Sequence, residues 1–79
     1  MSPTVFRHKG FRFFFFSREE KRMHVHVSCQ EGEAKFWLEP IVSLAHNFSL
    51  SARQLKEIQK IVEKKAGEIT KSWKKHFNR

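Results

Sequence analysis

The chain changes its period once. From Thr4 to Leu38 apolar and polar residues alternate in short runs, and from Leu55 onward apolar residues recur every three or four positions. A period of two marks strands with one buried side, and a period near 3.6 marks a helix with an apolar stripe. TVFRH and FRFFFF flank Lys9-Gly10, a two-residue step suited to a hairpin turn. SREEKR reads as a charged loop. MHVHVS alternates cleanly, QEG turns the chain, and EAKFWL makes a fourth strand. Pro40 should end that strand, because it has no N–H for a ladder. IVSLAHNF fits either a short strand or irregular chain. Ser49 or Ser51 can then cap a helix, and Leu55, Ile58, Ile61, Val62, Ile69, Trp73 and Phe77 form its stripe. Gly67 interrupts the stripe at a cost of about 1 kcal/mol against Ala, so a bend or break belongs there.

Neither layer can bury its apolar side alone, so the two should pack together. The expectation is an α+β fold: a small antiparallel sheet of about four strands, packed on one face by a long C-terminal helix. Residues 1–79 make one domain, with a sheet half over 1–48 and a helical half over 49–79. A register follows from the turns. Lys9-Gly10 opposes Arg7 to Arg12 and Phe6 to Phe13; the turn at Gln30 to Gly32 opposes His26 to Lys35 and His24 to Trp37. Val25, Val27, Ala34, Phe36 and Leu38 then share an uncharged face, which belongs against the helix. Arg7, Arg12, Phe14, Phe16, His24, His26, Lys35 and Trp37 fall on the other face. A slip of one residue would exchange the two faces.

Charge and composition bear on that second face. Sixteen Lys and Arg against eight Asp and Glu give a net charge of +8, which favours an anionic partner. Nine Phe and two Trp are many rings for 79 residues, and a core this small need not hold them all. Cations interleaved with rings on an open sheet suit single-stranded RNA. Arg7, Arg12 and Lys35 would meet phosphates, while Phe14, Phe16 or Trp37 would stack on bases. The same list also suits a protein partner, with Arg7, Arg12, Lys35 and Trp37 as its contacts, or cover by residues 41–50. A non-catalytic binding module, acting through a partner protein or an anionic membrane surface, is the alternative class. The single cysteine, Cys29, rules out an internal disulfide and fits a reducing cytoplasm. MSPTVFRHKG lacks the apolar core of a signal peptide, and FRFFFF is too short for a transmembrane segment.

His24 and His26 stand two apart on one strand face, about 6.5–7 Å between Cα atoms. Three readings remain open. They are polar residues on a solvated strand, an acid–base pair, or two ligands of a metal. A metal wants three or four ligands, and only His8, Cys29, Glu33 or His46 could complete the set, so no metal and no cofactor are expected. A metal-independent ribonuclease needs a base, an acid and a cation, which His24, His26 and Lys35 could supply as catalytic residues, with Arg12 assisting.

The order PTVFR, GFRFFFFS, HVHV, GEAKFWLEP, FSxxxLxxIxxIVE, Trp73 and a terminal HF resembles a family of small bacterial proteins, domain of unknown function 4160. The resemblance covers nearly the whole chain, and HVHV with GEAKFWL is its most specific part. His24 and His26 match the family motif, and Glu33, Lys35 and Trp37 match the strand that follows. Many relatives carry two prolines before HVHV, where this chain has Arg22 and Met23. Members are often encoded beside a small protein of domain of unknown function 2442, in a pair that resembles a type II toxin–antitoxin module. The resemblance implies a toxin-like role and a cognate small antitoxin that masks it, and the charge of +8 suits an acidic one.

Overall fold

The computed structural model describes residues 4–16 and 21–77. The expected loop SREEKR lies mostly outside them. The fold is α+β, in the order β1 (Thr4–His8), β2 (Phe11–Phe14), β3 (His24–Ser28), β4 (Glu33–Trp37), β5 (Ser43–Phe48), α1 (Ala52–Lys64) and α2 (Ala66–Phe77). The strands form one antiparallel sheet in chain order, β1 to β5, each paired with its neighbour.

The first hairpin forms because Lys9 and Gly10 both take positive φ, 52° and 82°. A two-residue turn of this kind matches the twist of its strands. Arg7 opposes Arg12 and Phe6 opposes Phe13, as the turn predicts. Likewise His24 opposes Trp37 and His26 opposes Lys35. Lys9 also reaches Glu57 of α1 at 3.8 Å, which ties this hairpin to the helical layer.

Two expectations need correction. The sheet has five strands rather than about four, because the ambiguous IVSLAHNF contains β5. A bulge between Lys35 and Phe36 in the β4–β5 pairing leaves Ala45 without an opposite number. The bulge puts Leu44 and His46, two apart, on opposite faces, which spoils the alternation that would have marked the strand. The second correction concerns the long helix. It is two helices, joined at Lys65, whose backbone (φ −105°, ψ 13°) leaves the helical region. The break precedes Gly67 by two residues. Hydrogen bonds meet at it, from Lys65 N–H to the Ile61 carbonyl at 2.9 Å and from Ile69 N–H to the Lys65 carbonyl at 3.0 Å. Low helix propensity at Gly67 weakens the helix beside the break, and residues of both helices enter the core.

Of the two candidate caps, Ser51 serves. Its hydroxyl accepts from Gln54 N–H at 3.1 Å, and the Gln54 side chain accepts from Ser51 N–H at 3.0 Å, a reciprocal capping box. The core lies between the layers. Phe13, Val25, Val27 and Phe36 of the sheet meet Ile58, Val62 and Ile69 of the helices, all with no exposed surface, and Trp73 joins them. The face predicted to be internal is internal, and Leu38 packs at its margin. Gly32, in the β3–β4 turn, lies so close to the Phe48 carbonyl that a Cβ would overlap it. Only Gly permits that approach, which fastens the start of β4 to the end of β5.

Candidate functional site

The pairings of the five strands turn the helix-free face into a grid. One row runs Arg7, Arg12, Ser28, Glu33, Phe48. The next runs Phe14, His26, Lys35, His46, and a third runs His24, Trp37, Ser43. Directly opposed residues place their side chains about 4.5–5.5 Å apart at Cβ, within contact range. All eight residues assigned to this face from the sequence stand on it, with Arg7 at its edge on β1, opposite Arg12.

Cations lie over rings across this grid. The Arg12 guanidinium stands 4.4 Å from the centre of the Phe14 ring. Arg22 and Lys35 stand 4.2 Å and 4.5 Å from the centre of the Trp37 ring. Such pairs hold a charge against an apolar surface while leaving its outer side to water or an anion. Arg12 is fixed further by its Nε, which donates to Thr4 Oγ1 at 2.8 Å. Arg22 Nε donates to the Glu39 carbonyl at 3.0 Å, and Met23 N–H donates to Glu39 Oε2 at 3.0 Å. The loop after β4 thereby holds the residues that precede β3.

The two histidines differ sharply. His24 has no exposed surface. Its Nδ1 lies 2.7 Å from the Arg22 carbonyl, which can only accept, so Nδ1 carries a proton and donates. Its ring meets Trp73 of α2, His26 and Trp37 edge-on, with centroids 5.1, 5.2 and 5.5 Å away. His24 therefore packs where the helical layer reaches the end of the sheet. His26 is half-buried, with its Nε2 covered. Its ring packs against Phe16 at 4.3 Å and Phe14 at 5.5 Å between centroids. Phe14 is itself buried on this face, while Phe16 is 44% exposed.

Beside His26 a cleft of about 210 Å³ opens between β3, β4 and β5, lined by Phe16, His26, Glu33, Lys35, His46 and Phe48. His46 and Phe48 belong to the site but were missed as site residues, because the Ala45 bulge hid their strand. The signal that remained was the spacing of His46 and Phe48 themselves, two apart as on any strand face. Among the described residues no group of three or more His, Cys, Asp or Glu side chains could hold a metal ion. Cys29 instead donates to Glu31 Oε1 at 3.2 Å. Also among them, no helix is long and apolar enough to cross a membrane.

The arrangement can bind an anion whose body is flat and partly apolar. Paired imidazole chemistry is less well served, since one of the two rings has no surface to offer a substrate. No curated protein and no solved structure matches the chain. A family model does match, over residues 10–74, and its description is Domain of unknown function (DUF4160).

Proposed function

We propose that this chain, which belongs to the DUF4160 family, is the toxin-like component of a two-gene module, engaging single-stranded RNA on its helix-free sheet face. A cognate small acidic protein would mask that face. One observation carries the reading: the cations of the grid lie over its rings, Arg12 over Phe14, and Arg22 and Lys35 over Trp37. Phosphates would meet the outward side of each cation, and bases would stack on the outward guanidinium planes and on the open ring surface beside them. The net charge of +8 adds long-range attraction for RNA and for an acidic partner alike.

The geometry favours binding over cleavage. An acid–base pair needs both groups within reach of the substrate, and His24 is sealed from it. His24 then acts as a packing residue that sets the position of Trp37 and His26. His26 and His46 flank Lys35 on either side, and of the two His46 is the exposed imidazole beside a bound phosphate.

Anisotropy of a labelled single-stranded RNA, measured across a salt series, tests the reading. Reversing Arg12 and Lys35 to Glu should weaken binding and flatten the salt dependence by about 0.7 in log–log slope for each lost phosphate contact. Trp37→Ala should cost about 1–3 kcal/mol of binding. Unchanged affinity and slope in the folded double reversal would overturn the placement, and a denaturing gel of the same mixtures reads strand scission directly. Induced expression should slow growth, and co-expression of the neighbouring acidic protein should restore it.

A further inference from the structure

The two edges of the sheet are built differently. Edge strands expose unpaired N–H and C=O groups, and proteins usually guard them with charge. β1 carries Arg7 within the strand, and Lys9 follows in its turn. β5 has no such guard. Residues 40–52, PIVSLAHNFSLSA, contain no Lys, Arg, Asp or Glu, in a chain where 30% of residues are charged. No strand pairs with the far side of β5 among the described residues. Of the exposed large apolar side chains among the described residues, Ile41 (71%), Leu44 (43%) and Phe48 (54%) lie in or just before this strand, and Phe16 alone lies elsewhere.

A cleft flanks β5 on each face. On the helix-free face it is the one that Phe16, His26, Lys35, His46 and Phe48 line. On the helical face a groove of about 430 Å³ lies between β5 and α1, with Phe36, Leu44, Ala52 and Leu55 at its floor and Lys56 and Lys60 at its rim. The Ala45 bulge is what lets one strand line both, since Leu44 turns toward the helix while His46 and Phe48 turn away. A strand laid along β5 would send successive side chains to alternate faces, so its neighbouring residues would reach the two clefts in turn.

We propose that β5 is the docking edge for an extended, acidic segment of another protein, which adds to the sheet as a sixth strand. Its backbone would pair with Ser43–Phe48. Apolar side chains would enter the two clefts, and carboxylates would meet Lys35 on one face and Lys56 and Lys60 on the other. Glu33 and Glu63 also stand at these clefts, so lysines lead three to two locally. A second copy of this chain is the poorer occupant: it would bring +8 toward +8, whereas an acidic segment is drawn in. The proposal gives a surface to the protein partner of the reading above, and it does not depend on RNA binding.

The probe is a phage-displayed library of random linear heptapeptides, panned against the immobilised full chain. Enriched sequences should alternate apolar residues with Asp or Glu. A synthetic peptide of the leading sequence should protect the amides of residues 43–48 from exchange. Leu44→Asn and Phe48→Asn, neutral changes on opposite faces of β5, should each weaken that peptide about tenfold, the scale of half-burying one apolar side chain. Having two variants keeps the test valid if one fails to fold. A peptide weakened by one folded variant and indifferent to the other docks on a single face, and strand addition fails. No enrichment, enrichment without acidic residues, or protection confined to other amides would overturn the proposal. So would a concentration-dependent dimer in sedimentation with residues 43–48 protected, which would make a second copy the occupant. RNA anisotropy with Leu44→Asn should match the wild type, so loss of the strand site and loss of the RNA site are read separately.

Discussion

Replacing His24 by Ala tests whether HVHV is first a packing motif. The side chain has no exposed surface, its ring touches two tryptophans and a second imidazole, and its Nδ1 bonds a backbone carbonyl. Truncating a buried ring of this size costs about 2–5 kcal/mol when neighbours close in only partly. The lost hydrogen bond adds about 0.5–1.5 kcal/mol. A chain of 79 residues has a total stability on the order of 4–12 kcal/mol. His24→Ala should therefore cost about 2.5–6.5 kcal/mol, roughly half of the total at the middle of both ranges. At roughly 4–8 °C per kcal/mol for a domain of this length, the melting temperature should fall by more than about 10 °C. Urea unfolding followed by tryptophan emission is the assay, because Trp37 and Trp73 both report on the imidazole. His24→Gln, which keeps a donor for the Arg22 carbonyl, should recover part of the loss. A folded His24→Ala protein that loses less than about 1 kcal/mol, with tryptophan emission unchanged, would refute the packing role. The sequence would then be back to a pair of working histidines. Until that loss is measured, a growth phenotype of His24→Ala reports folding as much as function.

Three smaller effects follow from the same structure. Gly32→Ala should cost about 1–3 kcal/mol, because its Cβ must push the Phe48 carbonyl away; hydrogen exchange should show β4 and β5 loosening first. Ser51→Ala should cost about 1 kcal/mol by opening the capping box, read as a shift in urea midpoint at constant slope. Gly67→Ala should stabilise the chain by about 0.5–1 kcal/mol, since the position is helical, exposed and has nothing near an added Cβ; a lower melting temperature would contradict this.

Much of the sheet was legible because its cues were local and agreed. Lys9-Gly10 and the turn at Gln30 to Gly32 specified two hairpins, β1–β2 and β3–β4, and the alternation around Val25 and Val27 demanded one buried side. The capping serine and the stripe from Leu55 to Phe77 located the helical layer in the same way. The misses arose where one residue altered a period. The Ala45 bulge disguised β5 and, with it, the contribution of His46 and Phe48 to the site. Gly67 signalled a bend or break, but the apolar stripe keeps its phase on either side, so spacing could not place it at Lys65, two residues earlier. Burial was the least legible property. Alternation put His24 on the open face, and Trp73 from α2, 49 residues further along, joins Trp37 and His26 in enclosing it.

The order of the elements also sets a schedule for synthesis. All five strands precede both helices, and each strand pairs with the one made just before it, so the sheet can assemble by short-range steps as the chain emerges. Its inner face then waits. Phe13, Val25, Val27 and Phe36 have no cover until Ile58, Val62, Ile69 and Trp73 have been made. During that interval the nascent chain presents an apolar sheet beside an unguarded edge, the combination that draws holding chaperones and invites aggregation.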